Sequence, residues 1–157
     1  MTNEQIKNFT LKIADSNATE VIVIVYELAQ IYLNDAIKKY RENDFDAFKL
    51  CINKTTNCIN DLIESLDLSY DIARQLLNIY LFINRELSLS IVKYDENKLT
   101  RIAAMLNKLQ KSFEELSKTD TSGKALQNAQ EVYAGLTYGR GTLNESTSID
   151  TNRGFTV

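Results

Sequence analysis

The chain has 157 residues, 44% hydrophobic and 25% charged, with a formal net charge of -3, the balance of one globular domain able to bury a continuous core. It has no histidine, proline or tryptophan. The commonest general base near neutral pH is therefore missing, as are His-ligated metal centres and the Glu-x-x-His pairs of di-iron bundles. The mild acidity, with no block of like charge, argues against nucleic acid, whose phosphates call for a clustered basic footprint.

The opening residues MTNEQIKNFTLKIAD lack a basic stretch followed by an apolar run, so no signal peptide is expected. Ile6, Phe9 and Ile13 instead predict a short amphipathic helix at about 3–14. Asn17 followed by Glu20 fits a capping box and starts a long helix at about 18–42. Its first turns, Val21 to Tyr26, have strong strand propensity. A lone strand would have no partner, and the continuation Ala29, Leu33, Ala36, Ile37, Tyr40 is helical. Helix is the reading. The run Val21–Val25 is too short to cross a bilayer, so no membrane insertion is expected.

Phe45, Phe48, Ile52, Thr55, Ile59, Leu62 and Leu66 follow alternating steps of three and four, a helix at about 45–66 behind the cap Asp44. Cys51 and Cys58 fall two turns apart on it, roughly 10 Å and too far for a disulfide. They read as small apolar residues of a reducing compartment, and with no signal peptide or membrane span foreseen the protein is expected in the cytoplasm. Ala73, Leu76, Tyr80, Ile83 and Leu87, with a polar step at Ser90 before Tyr94, give a helix at about 70–93 capped by Ser69 or Asp67. Leu99, Ile102, Leu106, Leu109, Phe113 and Leu116 give the last, at about 96–118, behind Asp95. Links this short make consecutive helices antiparallel neighbours. The expected fold is all-α, an antiparallel up-down four-helix bundle over 1–118 with a short N-terminal helix, followed by a tail over 119–157.

All five glycines lie in that tail. Gly135, Gly139 and Gly141 follow no strand and lack the Lys-Ser/Thr ending of a P-loop, so no phosphate cradle is expected. Asp35, Glu42, Asp61, Glu64 and Glu86 read as solvated polar faces, and Cys51 would have no His base. No enzyme, cofactor or metal is expected. What the bundle does have is surplus apolar surface. Val21–Tyr26 is apolar all round, and the 70–93 helix adds Ile72, Leu77, Ile79, Leu81 and Phe82 beside its main stripe. These residues either sit at the bundle centre or form a surface where a helical or extended segment docks.

The segment Asn17-Ala18-Thr19-Glu20-Val21-Ile22-Val23-Ile24-Val25-Tyr26-Glu27 resembles the first long helix of the flagellar secretion chaperone family FliS. There a Ser-Pro-x-Glu-Leu start leads into an apolar run and a Leu-Tyr-Asp/Asn-Gly element. Leu66-Asp67, Ile72-Ala73, Leu76 and Ile79-Tyr80-Leu81-Phe82-Ile83-Asn84-Arg85-Glu86-Leu87 are similar to that family's third helix, and the likeness covers about residues 15–117. Asn17-Ala18 stands in place of Ser-Pro, Glu27-Leu28 in place of Asp-Gly, and Phe113 where a Trp is common, which marks a divergent member. The resemblance implies a cytoplasmic chaperone without cofactor that binds the C-terminal segment of flagellin, prevents premature polymerisation and delivers it to the flagellar export apparatus. It points to Ile22, Tyr26, Ile79, Tyr80, Ile83 and Leu87 as groove residues; the alternative for each is a plain core position. The rival function is a non-enzymatic four-helix adaptor that binds another protein's helix or self-associates.

In the tail, Ala125, Leu126, Ala129, Val132, Tyr133 and Leu136 predict one short amphipathic helix. Val132, Tyr133, Leu136 and Tyr138 are candidates for folding back over the exposed apolar surface until a client arrives.

Overall fold

A computed structural model of the protein describes residues 3–125. Five helices follow one another: α1 (Asn3–Asp15), α2 (Ala18–Arg41), α3 (Phe45–Glu64), α4 (Asp71–Val92) and α5 (Glu96–Ser117). Among the described residues there is no strand, only one isolated bridge between Asn17 and Lys124.

Capping chemistry sets most of the boundaries. The Asn17 side chain accepts the Glu20 N–H at 2.9 Å while the Glu20 carboxylate accepts the Asn17 N–H at 2.9 Å, so the capping box is complete. Asp44 accepts the Ala47 N–H at 3.1 Å and Asp95 the Lys98 N–H at 3.2 Å. The start of α4 differs from expectation. Tyr70 is its N-cap, without a side-chain bond, because Asp67 spends its carboxylate on the Ser69 N–H, 3.0 Å away, in the preceding turn. Between α2 and α3, Asn43 takes φ 58°, a left-handed conformation that asparagine tolerates at a helix end.

The strand-prone run Val21–Tyr26 is helical throughout. Tertiary position explains it: α2 packs on α3 and α5 and carries α1 on its remaining side, so apolar residues all round this helix find cover. Ile24 and Tyr26 are buried and Val21, Ile22, Val23 and Val25 half-buried. The core runs through Leu33, Phe48, Ile52, Ile59, Leu62, Ile83, Leu87, Leu99, Ile102 and Leu106. At one end, Tyr40 stacks on Tyr94 with ring centroids 3.3 Å apart, and Phe45 and Phe48 meet Tyr40 edge-on. The end of α2 and start of α3 thereby meet the end of α4. At the other end, Ile22, Leu62, Ile72 and Leu116 line one cavity. Starts and ends alternate at each end, which is the up-down bundle.

The chain does not leave the bundle at residue 118. Asp120 accepts the Thr19 hydroxyl and the Ser122 N–H, Lys124 pairs with Asp15 at 2.6 Å, and the Ala125 N–H donates to the Ser16 carbonyl at 2.9 Å. Residues 119–125 thus fasten the end of α5 to the α1–α2 corner. Val132, Tyr133, Leu136 and Tyr138 lie outside the described residues.

Candidate functional site

α4 is apolar over more of its circumference than one neighbour can cover. Ala73, Tyr80, Ile83, Leu87 and Ser90 face the core, and α4 packs chiefly on α3, approaching α5 over fewer residues. At 100° per residue, Ile72, Ile79, Phe82, Glu86 and Leu89 form a second stripe beside the core face. The Glu86–Lys98 pair, 3.0 Å, shows which side it lies on: the flank toward α5. Ile72 is 63% exposed, Phe82 43% and Leu89 50%. On α5, half-buried Met105 and Leu109 fall by helical spacing on the flank of Lys98, and Phe113 lines the cavity with α4 residues.

At its α4 N-terminal end the groove opens into a cavity of ≈ 250 Å³, lined almost wholly by apolar side chains from every long helix. Ile22 comes from α2, Leu62 from α3, Ile72 and Leu76 from α4, Phe113 and Leu116 from α5, with Leu66 and Tyr70 from the α3–α4 link. A second cavity, ≈ 570 Å³, lies between α1 and α2 but has a polar rim, Lys12, Asp15, Glu20 and Glu27.

The six residues expected to line a groove divide into two groups. Ile22 is half-buried and lines the cavity, and Ile79 is half-buried on the second stripe of α4. Tyr26, Ile83 and Leu87 are fully buried, and Tyr80, 1% exposed, lines the cavity. The Tyr26 and Tyr80 hydroxyls hydrogen-bond to each other across the bundle, and the Tyr26 ring packs on Phe113 at 5.6 Å. Burial pushes both phenols above the usual tyrosine range, Tyr26 the further. These four side chains form the wall beneath the groove, because α2 is central and its inward face, with the α4 residues that meet it, is closed to solvent. Leu66, Tyr70, Leu76 and Leu116 also line the cavity, beyond the six residues that the resemblance points to. The main signal for them is tertiary: they gather only where the ends of α3 and α5 meet the starts of α2 and α4.

Glu86 also departs from the sequence reading. It is 9% exposed, held by Lys98 and by Arg85 at 3.3 Å. The Lys98 hydrogen bond keeps its carboxyl below the ordinary glutamate range. Among the described residues no cluster of three or more acidic or thiol groups is placed to hold a metal ion, and no helix is long and apolar enough to cross a membrane.

The model of the family described as flagellar protein FliS matches residues 1–120. The chain belongs to the FliS family. The match takes in α1 and the first residues after α5, beyond the likeness visible in α2 and α4. No curated protein matches the chain. FliS proteins are flagellar export chaperones that bind flagellin, and in general terms that is the role of this member. A chaperone of this kind needs a surface that exchanges partners, and the α4–α5 groove is an apolar surface that the bundle leaves uncovered on its long helices.

Proposed function

We propose that this protein captures the C-terminal segment of flagellin in the cytoplasm through the α4–α5 groove, keeps it from polymerising and passes it to the export apparatus. The observation that carries this reading is the exposed stripe Ile72–Phe82–Leu89 leading into the cavity at Ile72 and Leu76. A disordered segment that folds on binding loses about 2–5 kcal/mol in ordering. Each Leu- or Ile-sized anchor it buries returns about 1.5–3 kcal/mol. Three or four anchors therefore offset the ordering cost, and the groove offers that many places along Ile79, Phe82 and Leu89 and in the cavity.

The test is a calorimetric titration of a flagellin C-terminal peptide into the full chain, with circular dichroism recording helix gained on mixing. One-to-one binding is expected, with at least a tenfold loss in Ile72→Asp or Leu76→Asp. Ile72 is mostly exposed, so its variant retains the fold, and the melting curve checks this. Full binding by a correctly folded Ile72→Asp protein would remove the groove from the reading.

A further inference from the structure

The banks of the α4–α5 groove carry a charge pattern that the composition conceals. Lys98 reaches across to Glu86 of α4, and at 100° per residue the exposed Arg101 and Lys108, two turns apart, follow one line on the outer edge of α5 beyond Lys98, on the same side of the helix. Lys93 and Arg85 stand on the α4 bank. Lys98 and Arg85 are both engaged by Glu86. Lys93, Arg101 and Lys108 have no ion-pair partner among the described residues. The carboxylates of α5 are committed elsewhere: Glu96 pairs with Arg41, Glu115 with Lys118, and Glu114 accepts from Gln110 at 2.7 Å. Asp95 is spent on the α5 cap. A protein of net charge -3 thus sets unpaired cations along an exposed apolar stripe, beside the exposed ring of Phe82 and side chain of Leu89.

We infer that the groove selects an amphipathic segment with carboxylates along one edge of its apolar stripe, docked with the acidic edge toward α5. Apolar anchors enter the cavity at Ile72, Leu76 and Leu116 and lie along Phe82 and Leu89, while the carboxylates, one helical position aside, meet Arg101 and Lys108. The location of the groove rests on the reading proposed above; the charge preference is separate and has its own test.

Two synthetic peptides share one Leu/Ile stripe, with Glu at the flanking positions of the first and Lys at the same positions of the second. Each is titrated into the full chain, and so is the flagellin C-terminal peptide. The Glu-flanked peptide is expected to bind about tenfold more tightly at low salt, with the gap closing as ionic strength rises. Arg101→Glu/Lys108→Glu is expected to invert the order, and Arg101→Gln/Lys108→Gln to abolish it; both sites are exposed, and unchanged melting curves confirm folding. Equal affinities, a preference unaltered by either double variant, or binding of neither peptide overturns the inference. If the Glu-flanked peptide binds and the flagellin peptide does not, the client is wrong and the charge preference stands. If flagellin binds and the synthetic pair is not distinguished, the reverse holds.

Discussion

Tyr26 and Tyr80 lie beneath the proposed groove, closed off from solvent. Their hydroxyls satisfy each other in an otherwise apolar interior, and leaving one unpaired costs about 1–3 kcal/mol. Tyr80→Phe is therefore expected to lower stability in urea by that order, and Tyr26→Phe/Tyr80→Phe to recover part of the loss, since neither hydroxyl is then orphaned. A double mutant no better than the single would mean that the hydroxyl pair is incidental. Carboxylates give a second expectation at this scale. The folded-state pKa values of Glu86 and Glu96 are lowered by Lys98 and Arg41 hydrogen bonds, and that of Asp120 to about 2 by the Thr19 hydroxyl and Ser122. A carboxyl whose folded pKa is depressed contributes stability that is present above its unfolded pKa and lost as pH falls through the folded one. The thermal midpoint is thus expected to fall between about pH 5 and pH 2, and to fall less steeply in Glu86→Gln.

Among the elements, α2 and α4 carry similar surplus apolar surface and meet opposite fates. α2 lies between α3 and α5 beneath α1, and its surplus is absorbed. α4 leans on α3, and its surplus stays in the open. Ile79→Ser on the α4 stripe is expected to weaken client binding severalfold while costing little stability, because Ile79 is only half-buried. Leu87→Ala on the core face of the same helix is expected to destabilise the bundle by about 2–5 kcal/mol and to weaken binding only through unfolding. Paired denaturation and titration curves separate the two, and equal effects on binding per unit of folded protein would erase the distinction between groove and core. Helix spacing made both faces legible. Which face would be covered depends on the angle at which α5 lies, and no local pattern in α4 encodes that.

For the whole molecule, the segment after α5 acts as a fastener. Asp120, Lys124 and Ala125 tie the end of the bundle to Asp15, Ser16 and Thr19. A chain ending at residue 118 is expected to exchange the amides of α1 faster than one ending at residue 125, as read by hydrogen exchange. Equal protection would mean that the corner is held by α1 alone. The sequence placed this stretch in a tail because Thr119, Asp120, Thr121 and Ser122 have no periodicity. Its partners lie about a hundred residues away, at a separation that periodicity cannot report.

Local chemistry determined a great deal. The number and order of the helices among the described residues, three of the four caps on the long helices, the absence of a histidine-based centre and the family likeness all follow from neighbouring residues, because apolar spacing and capping act within a few turns. Only the tertiary structure decided that Tyr26, Ile83 and Leu87 lie beneath the groove and Ile22, Ile72 and Leu76 at its surface. It also decided that Glu86 is paired and nearly buried, and that scattered lysines and arginines from two helices border one apolar stripe. The reason is geometric: exposure and charge clustering depend on which helices become neighbours, and that is settled by the packing of the bundle as a whole.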